Sequence, residues 1–119
     1  MAIKLFDSEL RVMDILWKAG DTTAKDIADT LNKQVGWSKT TSYTVIKKCI
    51  DKGAIARIEP GFICHALVSQ EEARAFETAE LVDKLFDGSS DLLVASLLGK
   101  GKLSAEHIQR LKQIIEEMR

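Results

Sequence analysis

Three stretches with apolar residues at three- and four-residue spacing, a change to strand periodicity on either side of Pro60-Gly61, and three more helical stretches after Ser69 together predict the fold class. It is mainly α with a small β-hairpin. Helix, turn, helix and then hairpin is the order of a winged helix-turn-helix, and the later helices read as a helical dimerisation region. The expected domains are residues 1–68 and 69–119.

The first helix runs over Asp7 to Ala19, where Leu10, Met13 and Trp17 keep helical spacing and Val12, Ile15 and Leu16 widen the apolar arc. Asp7 or Ser8 is the expected cap and Gly20 the terminator. So wide an arc predicts burial, with Trp17 as core. Asp21 to Thr23 reads as an extended link. Thr23 then opens a short second helix containing Ile27, Ala28 and Leu31, and Asn32 to Gly36 reads as a polar connector.

The third helix is the one around which the chain is organised. Ser38 is a good N-cap and Gly53 a natural terminator. Between them Ser42, Val45, Ile46, Cys49 and Ile50 fall on one side and Thr40, Thr44, Lys47, Lys48 and Asp51 on the other. Hydroxyls and amines with almost no carboxylate suit phosphates and base edges, and threonine methyls suit thymine. From Trp37 to Arg57 the cations Lys39, Lys47, Lys48, Lys52 and Arg57 oppose only Asp51, a local net charge of +4 in a chain of net charge −1. The second helix of such a pair is the one that enters the major groove.

After Gly53 the pattern becomes that of strands, Ala54 to Ile58 and Ile63 to Leu67, around Glu59-Pro60-Gly61-Phe62. Pro then Gly at the centre of a four-residue turn is a type II signature. Arg57 and the turn tip are expected beside the DNA backbone or minor groove, with Glu59 weakening that role.

Ser69-Gln70-Glu71-Glu72 is a capping box that opens a helix carrying Phe76, Leu81, Val82, Leu85 and Phe86. Ser89 or Ser90 starts a shorter one with Leu92, Leu93, Val94, Leu97 and Leu98. Ser104 starts the last, with Ile108, Leu111, Ile114 and Ile115 on one face. About 50 residues make a marginal free-standing core, so these apolar faces need a partner. A second copy related by a two-fold axis is the simplest one; folding back on the winged helix is the alternative. The expected dimer residues are Leu81, Leu85, Phe86, Leu93, Leu97, Leu111, Ile114 and Ile115.

Composition bounds the rest. With 45% hydrophobic and 29% charged residues and one Pro, the 119-residue chain is that of a folded protein. Residues 1–68 carry 10 Lys and Arg against 8 Asp and Glu, and residues 69–119 carry 7 against 10, so a basic front precedes an acidic rear. Two cysteines without ligand spacing predict reduced thiols and no cofactor or metal. Cys64 and His65, adjacent on a strand, point to opposite faces, which predicts a packed thiol and an exposed imidazole. The apolar run Leu92 to Leu98 is too short to span a membrane, and Met1 to Asp7 lacks the pattern of a signal peptide, so the expected location is cytoplasmic. Nothing in the sequence matches a catalytic motif, and no enzyme activity is expected.

Three ordered blocks carry a resemblance: L-x-V-M-x-I-L-W-K at Leu10 to Lys18, W-S-x-T-T-x-Y-T-V-I-K-x-x-x-x-K-G at Trp37 to Gly53, and L-S-x-E-x-I-x-x-L-K-x-I-I-E-E at Leu103 to Glu117. Over nearly its whole length the chain resembles the BlaI/MecI/CopY family of bacterial repressors. The resemblance implies a homodimeric winged-helix repressor on a palindromic operator, often controlling resistance or copper-handling genes, with Lys39, Thr40, Thr44 and Lys47 facing the groove and the helices after Ser69 forming the dimer. β-Lactam-responsive members are induced by cleavage at an Asn-Phe bond. The matching positions here are Ser96-Leu97, so that switch does not carry over. Copper-responsive members hold Cu(I) through a C-terminal Cys-x-Cys pair, which this sequence lacks. Relatives often place Arg after the wing glycine, where this sequence has Phe62, so a smaller wing contribution is expected.

The reading is a sequence-specific repressor on double-stranded DNA, released by an unidentified inducer or protease. Its expected DNA-binding residues are Ser38, Lys39, Thr40, Thr41, Tyr43, Thr44, Lys47, Lys48 and Arg57. Lys39, Lys47 and Lys48 would neutralise phosphates, Thr40 and Thr44 approach base edges, Tyr43 pack on a sugar-phosphate wall or thymine methyl, and Arg57 brace the wing. The alternative is a winged helix serving as a protein interaction module without DNA.

Overall fold

A computed structural model of the chain describes residues 3–99, 101 and 103–118. The elements run α1 (Asp7–Ala19), β1 (Thr22–Thr23), α2 (Ala24–Val35), α3 (Lys39–Asp51), β2 (Ile55–Ile58), β3 (Ile63–Ala66), α4 (Gln70–Leu85), α5 (Ser90–Gly99) and α6 (Ala105–Glu117). The mainly α class with a small antiparallel sheet is the one the sequence predicts. Packing divides the chain inside α4, between Glu77 and Thr78, into two compact units.

In the first unit α1, α2 and α3 close on Val12, Met13, Leu16, Ile27, Leu31, Ile46 and Cys49, with Ala54, Ile55 and Cys64 joining from the hairpin side. These side chains are almost wholly removed from water. Truncating one of the larger ones to Ala costs about 2–5 kcal/mol by the usual sum of lost transfer energy and cavity. Trp17 is half-buried against this core, and its indole Nε1 donates to the Val68 carbonyl at 2.8 Å.

Four local details differ from the sequence expectations. α1 starts without a cap from Asp7 or Ser8; its N-cap residue is Phe6, whose backbone N–H donates to Glu9 Oε1 at 2.8 Å. A carboxylate three residues into the helix meets the free N–H there, so no hydroxyl or Asp is needed before it. The link before α2 holds a true strand: Thr22 pairs with Cys64 and Thr23 with Ile63, giving a three-stranded antiparallel sheet of order β1-β3-β2. Two residues are too few to show alternation in sequence.

Asn32 to Val35, expected as connector, continues α2 until Gly36 ends it with φ 72 and its N–H on the Asn32 carbonyl. Val35 packs against the core, which holds that last turn in register. Finally, the hairpin β2–β3 has the expected place, and Gly61 has the left-handed φ of 96 that a type II turn requires, but Phe62 (φ 51) follows it into the left-handed region, which that turn does not require.

The second unit begins within α4, which the Ser69 capping box starts as expected: Glu72 N–H donates to Ser69 Oγ at 3.0 Å and Ser69 N–H to Glu72 Oε1 at 3.3 Å. Ser104 caps α6 by accepting from the His107 N–H at 3.1 Å. The described residues of α5 and α6 include none that is buried. Leu81, Leu85, Leu97, Leu111, Ile114 and Ile115 are exposed, Leu85 by 71% and Ile115 by 55%, while Phe86 and Leu93 are partly covered. None of the described helices is long and apolar enough to cross a membrane. Met1 and Ala2, part of the segment read for a signal peptide, lie outside the described residues.

Candidate nucleic-acid interface

The candidate interface is built on α3, and the cap that starts α3 comes from within the expected site. Ser38, extended at φ −67 and ψ 160, accepts from the Thr41 N–H at 3.1 Å, and its hydroxyl donates to Thr41 Oγ1 at 3.0 Å. Ser38 and Thr41 therefore satisfy each other and one free N–H of the first turn, which makes them the foundation of the helix. The connector before them is fixed by Asn32, whose side-chain amide donates to the Trp37 carbonyl at 3.0 Å. The sequence reading overlooked Asn32, because an Asn at the end of a polar stretch looks like any loop residue.

The helix divides as its spacing predicts. Ser42, Val45, Ile46 and Cys49 are buried, and Thr40, Thr44, Lys47, Lys48 and Asp51 are exposed. Five of the expected residues, Lys39, Thr40, Tyr43, Thr44 and Lys47, line one shallow concavity on the outer side. No carboxylate is among them. The Thr44 hydroxyl donates to the Thr40 carbonyl at 2.9 Å, so this side chain offers a methyl and oxygen lone pairs rather than a free proton.

The other cations do different work. Lys48 is exposed but does not line the concavity, and its charge acts on Glu9. Lys52, counted by sequence among the basic residues of this stretch, is turned inward. Its ammonium donates to Glu9 Oε1 at 2.5 Å and to the Lys4 carbonyl at 2.8 Å, and lies 4.2 Å from the centre of the Phe6 ring. Burial would push the Glu9 carboxyl up. The Lys52 hydrogen bond, the Phe6 N–H and the charges of Lys52 and Lys48 outweigh it and hold the group below its ordinary value. The +4 of sequence is thus not all presented outward.

Arg57 is bound within the wing. Its Nε donates to Glu59 Oε1, its guanidinium lies 3.7 Å from the centre of the Phe62 ring, and Glu59 Oε2 accepts from the Phe62 N–H at 3.3 Å. The Arg57 hydrogen bond, followed by the Phe62 N–H, keeps the exposed Glu59 carboxyl low. Phe62 in turn meets Tyr43 edge to face, with ring centres 5.9 Å apart and planes at 72°, and Lys39 Nζ stands 5.7 Å from the Tyr43 ring centre. Sequence reading treated Phe62 as a weakness of the wing. An aromatic residue directly after Pro-Gly was the available signal that the tip packs on something.

The Cys64-His65 pair sits as expected, Cys64 fully buried and His65 exposed with Nδ1 2.8 Å from Asp21 Oδ1. Burial, with the Glu9 charge second, pushes the Cys49 thiol up to about 12, and burial also raises Cys64. Both thiols are therefore protonated near neutral pH, the form that is neither nucleophile nor ligand. Among the described residues no group of three His, Cys, Asp or Glu is placed to hold a metal ion.

Comparison with known proteins bears on the family and the fold. The family model described as Penicillinase repressor matches residues 5–117. The chain is 27% identical over 116 residues to the penicillinase repressor of Bacillus licheniformis, covering 96% of this chain and 91% of that protein. To the methicillin resistance regulatory protein MecI of Staphylococcus aureus (strain N315) it is 26% identical over 116 residues, 96% of this chain and 94% of that one. The solution structure of the DNA binding domain of the repressor BlaI superposes with a TM-score of 0.56 at 26% identity, covering 60% of this chain and 90% of that domain. The chain belongs to the penicillinase repressor family, whose members are DNA-binding transcriptional regulators and not enzymes.

Proposed function

We propose that this chain represses transcription by binding a two-fold symmetric operator as a homodimer, with residues 1–68 reading DNA and residues 69–119 pairing two copies. The observation that carries the DNA half is the concavity on α3, where Lys39, Thr40, Tyr43, Thr44 and Lys47 gather amines, hydroxyls and methyls without a carboxylate. In this reading Lys39, Lys47 and Lys48 neutralise phosphates. The methyls of Thr40 and Thr44 and the Tyr43 ring lie against base edges, Ser38 and Thr41 hold the helix start, and Arg57 steadies the wing.

The dimer half rests on the uncovered apolar side chains of the last three helices. Leu81, Leu85, Leu97, Leu111, Ile114 and Ile115 are large apolar side chains left in water, the kind of surface that a partner covers. A two-fold pairing covers them with one set of contacts used twice, and a two-fold dimer matches an operator of two equal half-sites. Leu93 and Phe86 fill in around them. Release would come from an inducer or a protease that separates the copies, and the regulated genes are those downstream of the operator.

The test is selection of duplexes from a random library with the full chain, followed by footprinting on the enriched sequence. A protected site with two equal half-sites about one helical turn apart supports the reading. Enrichment of a single asymmetric half-site would remove the dimer, and no enrichment at all would remove the DNA reading.

A further inference from the structure

The side chain that joins the wing to α3 belongs to neither list of expected contacts. Phe62 presents its ring edge-to-face to Tyr43, at 5.9 Å between centres, and carries the Arg57 guanidinium at 3.7 Å. Its main chain is tied on both sides. The Phe62 carbonyl accepts from the Ala24 N–H at the start of α2 at 3.0 Å, and the Phe62 N–H donates to Glu59 Oε2 at 3.3 Å. The residue also holds φ 51, a backbone conformation that costs a bulky L residue energy and persists only where its surroundings fix it. One residue thus links α2, α3, β2 and the hairpin loop.

Tyr43 is the side chain on which this linkage acts. It lines the concavity with Lys39, Thr40, Thr44 and Lys47, and its ring has Lys39 5.7 Å from its centre. Tyr43 is half-buried and packs against the core on its inner side. The edge-to-face Phe62 ring closes a second side of it and narrows its rotamers further, so the concavity is shaped before any ligand arrives.

We propose that Phe62 is a positioning residue for DNA recognition: it fixes Tyr43 in the concavity and Arg57 on the wing, and so sets sequence discrimination without touching DNA itself. This rests on the reading of α3 as the DNA-reading helix. Phe62 brings no charge and Arg57 stays paired with Glu59 without it, so removal of Phe62 changes discrimination and leaves the salt dependence of binding where it was. A lysine or arginine that contacted phosphate would do the reverse.

The experiment uses the full chain and a duplex enriched by wild-type protein, with a scrambled duplex beside it. Phe62→Leu is expected to lose about threefold to tenfold in affinity for the enriched duplex, the range an aromatic pair supports, with about the wild-type salt slope and little change on the scrambled one. Phe62→Tyr is expected to restore discrimination, since it keeps the ring. Phe62→Asn, which tolerates the left-handed backbone but has no ring, is expected to lose as much as Leu; if Asn instead behaves as wild type, backbone geometry and not the ring is responsible and the proposal fails. Combined with Tyr43→Leu, Phe62→Leu should add almost nothing, because both remove the same contact. Full additivity, or wild-type discrimination by Phe62→Leu, overturns the proposal while leaving the DNA reading intact. Absence of any enriched duplex overturns both, and thermal unfolding of each variant separates loss of discrimination from loss of fold.

Discussion

Lys52 Nζ stands 2.5 Å from Glu9 Oε1, joining the end of α3 to the first turn of α1. Glu9 is only 2% exposed, and the same carboxylate oxygen accepts the Phe6 N–H that would otherwise be free at the helix start. A lysine that sequence counts in the local positive charge of α3 thereby braces the end of α3 against the start of α1.

Lys52→Met is expected to lower stability by about 2–3 kcal/mol. Removing one partner of a buried pair leaves the other charge desolvated, at a usual cost of about 3–5 kcal/mol, and the partial access of Lys52 to water brings the loss to the bottom of that range or just under it. The Glu9 value in the folded chain lies below its ordinary 4.5. Its stabilising contribution is therefore complete above that value and is lost as pH falls through the lower, folded one. Urea unfolding at pH 7 and below pH 4 should show the gap between wild type and Lys52→Met narrowing in acid; a constant gap would contradict the pairing.

Ser42→Ala should raise stability by about 1 kcal/mol. The Ser42 hydroxyl is fully buried on the inner side of α3 and has no hydrogen-bond partner among the described residues. Burying such a group without a partner is unfavourable, and Ala has the better helix propensity. A fall in the unfolding midpoint would mean that the hydroxyl is satisfied after all.

Thr44 separates methyl from hydroxyl. Since its hydroxyl already donates to the Thr40 carbonyl, Thr44→Val should bind the enriched duplex nearly as wild type, whereas Thr44→Ser, which lacks the methyl, should lose about 0.8 kcal/mol if a methyl group is buried there. The opposite order would show that the threonine oxygen makes the contact. Both affinities come from one anisotropy titration series.

If two copies pair as proposed, Leu111→Asp should yield monomers in sedimentation, because it places a charge on an exposed apolar side chain that pairing would cover. The first unit need not change, so the circular dichroism should keep most of its helical signal. Dimers that persist would move the interface away from α6.

The sequence made the frame legible where structure is locally coded. Ser38, Ser69 and Ser104 cap the helices they were expected to cap, Thr23 accepts the Asp26 N–H at 3.1 Å, and the two faces of α3 separate as their spacing requires. What sequence could not show is where long side chains turn once the fold brings distant segments together. Lys52 and Glu9 are 43 residues apart, and no periodicity marks them as partners. Phe62 and Tyr43 meet only because the hairpin returns to α3, and β1 exists only because β3 is there to pair with it. Local propensity codes the elements, whereas the partners of Lys, Arg and aromatic side chains are tertiary facts.

The central claim is that the outer face of α3 reads DNA, and it is tested most directly by fluorescence anisotropy of the wild-type chain and Lys47→Ala on an enriched duplex across a salt series. The account predicts a steep fall of affinity with salt for wild type and a slope shallower by about one unit for Lys47→Ala, as expected when one phosphate contact is removed. A wild-type slope near zero, or an unchanged slope in the variant together with unchanged affinity, would contradict it and leave α3 as a surface for some other partner.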